Sequence, residues 1–265
     1  VVIVKRRRHV GLGIVVVAIS LFFLVPLVSL LVFSLTGGDG LTVDAWTGIF
    51  QNSEFYSSLG LSLILAVLTT IVSLVLMTGT VLWVHLRAAH LRSLVEGITL
   101  LVFAIPPITL VIGATGLLLG LAPWAMGSPL ILVPFYVVLA FAFTYRALDA
   151  GVRAMDLQTL VDAALSLGAS WPMILGRVIL PNLRTALLGA SFLTITVVLG
   201  EYVLSSLFLY NTLPVFMAEV GTSQAQGAAA LALLTVLFTW LLLVVVSLVS
   251  RRLGGGRPDV AIVTS

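Results

Sequence analysis

The chain has 265 residues, 60% of them hydrophobic and only 9% charged, with a mean hydropathy of +1.24 and a formal net charge of +3. A folded soluble domain carries roughly 25% charged residues to wet its surface, so this composition excludes a water-soluble globule and predicts an outer surface that faces lipid. Cysteine is absent, which removes disulfides, thiol nucleophiles and thiolate metal sites. The three histidines, His9, His85 and His90, stand beside charged flanks at no metal-ligand spacing.

Six apolar windows reach the length of about 20 residues that a crossing needs, and they predict an all-α integral membrane protein read as a single transmembrane domain over 1–265. The first runs from about Val10 to Leu35, after the basic run Lys5-Arg6-Arg7-Arg8. Its apolar length exceeds a signal-peptide core, so an uncleaved span is expected. The second covers about Leu59 to Val84. The third covers about Gly97 to Leu121 and contains Pro106-Pro107, which removes backbone donors and predicts a kink that shapes the span or acts as its pivot. The fourth, about Pro129 to Tyr145, is the shortest. The fifth, about Thr185 to Leu209, holds the one intramembrane charge, Glu201. The sixth, about Gly221 to Ser250, exceeds what a bilayer requires, so part of it is expected as loop or tilted helix. Backbone amides in hydrocarbon have no water to bond, which makes the spans helical. The runs are continuous, unlike the alternation of barrel strands.

With six spans, all 13 Lys and Arg residues fall on one side: Lys5 to Arg8, Arg87, Arg92, Arg146, Arg153, Arg177, Arg184, Arg251, Arg252 and Arg257. The opposite loops hold only the acids Asp39, Asp44, Glu54 and Glu219. The positive-inside rule then places both termini in the cytoplasm. The outer stretch Thr36 to Ser58 carries turn chemistry at Asp39-Gly40 and interfacial aromatics at Trp46, Phe50, Phe55 and Tyr56. The segment 253–265, with Gly254-Gly255-Gly256, reads as a flexible cytoplasmic tail.

The inner loop around 148–184 is far longer than a connection requires. Leu148 to Leu167 favours helix, Gly168 has the character of a helix C-cap, and Ser170 with Pro172 marks the start of a second short helix that Leu180-Pro181 is expected to end. The loop thus predicts an elbow of two short helices joined at Gly168-Ala169. Within it stand Asp162-Ala163-Ala164, three residues, Gly168, nine residues, Val178, Ile179, Leu180-Pro181.

This spacing resembles the signature of ABC importer permeases: Glu-Ala-Ala, three residues, Gly, nine residues, Ile, any residue, Leu-Pro. Every interval matches, with Asp for Glu at 162 and Val for Ile at 178. The resemblance implies a type I importer permease fold of six spans. Its elbow would be a coupling helix that docks on a cytoplasmic ATPase through Asp162, Ala163, Ala164, Gly168, Ala169, Trp171, Val178, Leu180 and Pro181. Small residues allow close approach of a partner, and Trp171, Ile174, Leu175 and Val178 offer apolar surface to bury. The alternative is an ordinary amphipathic loop helix.

A P-loop needs a lysine after its glycines, and Lys5, the only lysine, follows none. The chain is therefore expected to be no enzyme and to hold no cofactor. ATP and Mg would be bound by two separate ABC ATPase subunits. The resemblance further implies a second permease chain, homologous or identical, an extracytoplasmic solute-binding protein, and a multi-pass location in a bacterial inner membrane in contact with lipid. No nucleic-acid partner is expected. An ion-coupled secondary transporter would show internal repeats with polar ion ligands, and a membrane-embedded enzyme would show a cluster of His, Asp, Glu or Ser. Neither pattern is present in the sequence.

A charge within a span faces the bundle or a water-filled path. Glu201, with Tyr202, Thr196 and the Pro106-Pro107 kink, therefore makes a candidate substrate pathway; alternatively, Glu201 serves as a structural partner for a backbone or hydroxyl group such as Thr194, Thr196 or Ser205. Leu199-Gly200-Glu201-Tyr202-Val203 and Tyr145-Arg146-Ala147-Leu148-Asp149 are similar to the polyamine branch of these permeases, which implies spermidine or putrescine as solute. That branch also includes carriers for aminoethylphosphonate, ferric iron and thiamine, and related triplets occur in oxyanion permeases.

Overall fold

A computed structural model describes residues 2–38 and 40–254 and is almost wholly helical. Residue 39, and with it half of the expected Asp39-Gly40 turn, lies outside the described residues, as does 255–265, which contains most of the expected tail. The chain forms two compact units. One combines the chain up to Ser57 with Phe216–Phe238, and the other combines Ser58–Val215 with the chain from Thr239 onward.

In the first unit, α1 (Val2–Ser34) leads into a short antiparallel hairpin, β1 (Thr36–Gly37) and β2 (Gly40–Leu41), and then into α2 (Asp44–Gln51). The apolar side chains of α1 from Val15 onward are largely exposed, as lipid-facing residues must be. Trp46 Nε1 donates to Ser34 Oγ at 3.2 Å. Phe55 packs edge-on against Phe50 and Tyr56, and beside Phe216.

The second unit holds the spans within Ser58–Val215, and the last helix is divided between the two units after Phe238. Helix α3 (Ser53–Arg87) enters it at Ser58 and extends beyond the expected second span at both ends. The third window is two helices, α4 (Arg92–Ala104) and α5 (Pro107–Leu121), meeting at 97°. The expected single kinked span is therefore corrected to two helices with a sharp bend between them. Each residue before a proline is pushed out of the α region. Two consecutive prolines put Ile105 (ψ 115°) and Pro106 (ψ 135°) both in extended geometry, and this turns a bend into a break. Helix α6 (Leu132–Arg153) runs two turns past the expected end at Tyr145.

After α6 come α7 (Leu157–Ser166) and α8 (Trp171–Ile174). A π-helical turn over Leu175–Ile179 joins α8 without a break to α9 (Leu180–Leu199). Pro181 thus does not end a helix, contrary to expectation. A proline ring collides with the carbonyl four residues earlier in an α-helix. The wider π turn relieves that collision, with the Leu180 amide reaching back to the Leu175 carbonyl and Asn182 Nδ2 donating to the Val178 carbonyl at 2.7 Å. The segment between spans is accordingly about 154–170, shorter than the 148–184 read from sequence. The chain continues through α10 (Val203–Leu207), α11 (Leu213–Ser223) and α12 (Ala225–Gly254). The last span therefore starts after a break at Gln224, and α11 is separate from it. Among the described residues, five helices are long and apolar enough to cross a membrane, and the α4–α5 pair makes a sixth if counted as one broken span.

The most intimate pair is α6 with α9. Ala140 and Ala190 are fully buried between them. The hydroxyls of Thr144 and Thr194 stand 2.9 Å apart, so one can donate to the other while the second donates to the carbonyl four residues before it on its own helix. At Gly151 a Cβ would collide with Ala186. Small residues and interhelical hydroxyls are what hold helices together where lipid supplies no hydrophobic drive.

Candidate functional site

Asp156 starts α7 by capping it: its carboxylate accepts from the Thr159 amide at 3.4 Å and from the Thr159 hydroxyl at 2.7 Å. This break at 154–156 was not read from sequence, although Asp156 three residues before Thr159 carries the signal. Leu157, Val161 and Ala164 recur on one face of α7 and enter a core with Tyr145, Leu148, Val152, Ile174 and Ile179. The opposite face presents Asp162, Ala163, Leu165 and Ser166 to the outside.

Gly168 closes α7 with φ +78°. Its amide donates to the Leu165 carbonyl at 2.9 Å and the Ala169 amide to the Ala164 carbonyl at 3.0 Å, the paired bonds of a Schellman cap. A left-handed residue here costs a side-chain-bearing residue about 1–2 kcal/mol; glycine escapes that cost. Ser170, extended at ψ 156°, then opens α8 with Pro172 in its first turn.

The elbow's side chains divide into two sets. Ala164 and Ile174 face the chain's own core, so they add nothing to an exposed docking face; Val178 and Leu180 are half-buried. Trp171 and Leu175 are exposed, as are Gly168 and Pro181, and Ala169 is half-buried. Sequence reading missed Leu167, which is 88% exposed at the tip of the turn beside Gly168. Its signal is a leucine falling off the core-facing period of α7 directly before a glycine.

Beneath the elbow lies a charge cluster that sequence reading also missed. Asp149, on the last turns of α6, is buried and accepts from Arg153 at 2.6 Å and pairs with His85 Nε2 at 2.7 Å, with Arg92 at 3.5 Å. Glu96 joins Arg92 at 3.2 Å and Arg153 at 2.8 Å. The cluster ties the end of α3 to the start of α4 and the end of α6. Arg92–Glu96 and Asp149–Arg153 are pairs four residues apart on one helix, but the bonds that join the helices link residues more than fifty positions apart, which no local pattern announces.

Glu201 is placed differently from expectation. The α8–α9 rod from Trp171 to Leu199 has 29 residues, about 44 Å at 1.5 Å per residue, which is the thickness of a bilayer with its headgroups. Glu201 therefore lies just past the end of that span rather than within it, because α9 stops at Leu199 and Gly200. Its carboxylate is buried and caps α10, accepting from the Leu204 amide at 3.0 Å through both oxygens and from the Ser205 amide at 3.4 Å. The Ser205 hydroxyl donates to the Glu201 carbonyl at 3.2 Å and accepts from Thr212 at 2.9 Å. Tyr136 stands beside this carboxylate. Tyr202 and Thr196 are exposed, and the Thr196 hydroxyl returns to the Phe192 carbonyl at 2.9 Å. Pro106 is exposed at the α4–α5 break and Pro107 half-buried.

No group of three or more His, Cys, Asp or Glu side chains among the described residues could hold a metal ion. No family model and no curated protein matches the chain. Solved structures do match. A chain of a bacterial ABC transporter involved in the import of the acidic polysaccharide alginate is 16% identical, with a TM-score of 0.73 over 94% of this chain and 96% of that one. A chain of a bacterial alginate ABC transporter in complex with an alginate pentasaccharide-bound periplasmic protein is also 16% identical, with a TM-score of 0.70 over the same shares. The chain thus has the fold of a membrane chain of a bacterial ABC transporter.

Proposed function

We propose that this chain is a permease subunit of an ATP-driven, binding-protein-dependent importer in a bacterial inner membrane. One observation carries the proposal. The signature spacing from Asp162 to Pro181 falls on an exposed elbow between two spans, in a chain that shares nearly its full length with an ABC transporter chain. On this reading α7 and the Gly168 turn dock on an ATPase subunit. Leu165, Leu167 and Ala163 supply contact, Asp162 supplies a charge at the rim, and Trp171 turns instead to the groove beside Trp83. ATP and Mg belong to the two ATPase subunits, and a second permease chain completes the pathway. An extracytoplasmic binding protein delivers the solute; one alginate neighbour comes from a transporter involved in import, and the other is in complex with a periplasmic protein.

For the solute, the resemblance over Leu199–Val203 makes polyamines the first compounds to test. The two fold neighbours make an acidic oligosaccharide the second. The Glu201 carboxylate is engaged by its own backbone, so it supports a gate-shaping role near the outer end of α9 more directly than a cation contact.

The native chain has no cysteine, so a single cysteine at Leu167 gives a clean probe. In membranes holding the whole transporter, Leu167→Cys should cross-link to the ATPase subunit and change its cross-linking yield when ATP is added. Cross-linking confined to lipid or solvent-side reagents, with none to the ATPase, refutes the docking assignment.

A further inference from the structure

We propose that the groove between α3 and the α8–α9 rod is a binding site for the acyl chain of an anionic phospholipid, with Arg87 holding its headgroup. The groove has two adjoining parts. One is a cavity of about 470 Å³ lined by Leu82, Trp83, Leu86, Arg87, Trp171 and Leu175, among others. The next, of about 340 Å³, shares Leu82 and Leu175 and continues past Thr78 and Gly79 to Leu74 and Leu187. On α3 the lining falls in two rows at a spacing of four: Leu74, Thr78, Leu82, Leu86, and beside it Val75, Gly79, Trp83, Arg87. Such rows lie along one helix face.

Three features commit the groove to a lipid. Its length along α3 from Leu74 to Arg87 is about 20 Å, enough to hold one acyl tail and its glycerol end within a leaflet of about 15 Å of hydrocarbon. Its mouth carries Trp83 and Trp171, 52% and 46% exposed, the residue type that settles at the membrane–water boundary. Arg87 ends α3 at that mouth and is exposed, and no ion pair to it is present among the described residues, unlike Arg92 and Arg153 close by. An unpaired cation above an apolar slot complements an anionic headgroup above its tail. Gly79 leaves the slot open: a Cβ there would meet nothing within 4 Å. The inference requires only that α3 and α9 span a membrane, so it stands or falls separately from the importer reading.

The test uses the full chain with Trp46, Trp124, Trp171 and Trp240 changed to Phe, which leaves Trp83 as reporter. It is placed in phosphatidylcholine nanodiscs doped with either brominated phosphatidylglycerol or brominated phosphatidylcholine. Quenching of Trp83 by the phosphatidylglycerol should show about a fivefold preference, the effect of one basic residue at an anionic surface. Arg87→Gln should abolish that preference while leaving quenching by phosphatidylcholine, and Arg87→Lys should keep it. Gly79→Leu should fill the slot and weaken quenching by both lipids. Equal quenching by the two lipids in the parent chain, or a preference that survives Arg87→Gln, overturns the proposal. So does a cross-link from Gly79→Cys to a second protein chain in native membranes, because a protein helix would then occupy the groove.

Discussion

Substitutions at Gly168 should act through backbone strain alone, because a Cβ built there meets no atom within 4 Å while φ stands at +78°. The strain differs by residue in a known order. Asparagine visits the left-handed region readily, alanine costs about 1–2 kcal/mol there, and a β-branched residue costs more, up to about 3 kcal/mol. Relief comes by unwinding the cap, which gives up the Gly168–Leu165 and Ala169–Ala164 bonds. The core face of α7, held by Leu157, Val161 and Ala164, lies further back and keeps the spans folded. Amide hydrogen exchange at residues 168 and 169 reads the opening directly, since 1.4 kcal/mol is a factor of about ten. Gly168→Asn should accelerate exchange only a few-fold, Gly168→Ala about tenfold, and Gly168→Val about a hundredfold, with membrane insertion at the level of the parent for all three. Recovery of the ATPase subunit should fall in the same order. Equal exchange in the asparagine and valine variants refutes the strain argument. A valine variant that exchanges fast yet binds the ATPase normally refutes the docking role of the turn.

Gly151→Ala should destabilise the detergent-solubilised chain by about 1–3 kcal/mol through overpacking against Ala186, and a thermal melt should recover when Ala186→Gly is added. Asp149→Asn removes the buried charge shared by His85, Arg92 and Arg153, leaving Glu96 as the carboxylate partner of the two arginines. Because Arg153 is half exposed, the expected cost is about 2 kcal/mol, below the full penalty of breaking a buried pair; an unchanged melting temperature would show the cluster to be idle. Glu201→Ala removes the cap of α10 and should cost about 1 kcal/mol with loss of uptake, whereas Glu201→Gln keeps one acceptor and should retain complex yield. Identical yields and uptake for both variants would remove any role for the carboxylate. The purified chain alone should hydrolyse no ATP, and hydrolysis that persists after removal of contaminating ATPases would end the permease reading.

Apolar run length made five of the six expected crossings legible, since hydrocarbon thickness leaves little freedom, while the third window holds a pair of helices bent by 97°. The elbow was also legible in its local parts: Gly168 as a left-handed cap and Ser170-Pro172 as a helix start are decisions made within a few residues. What sequence reading misjudged depended on partners further away. Pro181 looked like a terminator because the π turn that accommodates it leaves no compositional mark. Glu201 looked buried in mid-span because the run from Thr185 to Leu209 is apolar throughout, and only the cap it makes on Leu204 reveals that the helix has already stopped. The Asp149 cluster joins residues more than fifty positions apart, beyond the reach of any periodicity. The division of the elbow into Ala164 and Ile174 inside and Leu167 and Trp171 outside needed the angle at which α7 meets the core.

The π turn at Leu175–Ile179 also sets a rotational phase. A π turn carries one residue more than the α-helix around it, and one residue is about 100° of rotation about the helix axis. The rod that begins at Trp171 is thereby indexed against the one that ends at Leu199, with Trp171 and the Gly168 turn aimed by that extra residue. Deleting Gly176, which is exposed and has open space where a Cβ would stand, would restore plain α geometry only by swinging the elbow through about a quarter turn relative to α6 and by setting the Pro181 ring against the carbonyl four residues earlier. The span would keep its length and its lipid-facing surface, while the loop's outward face would point at a different neighbour.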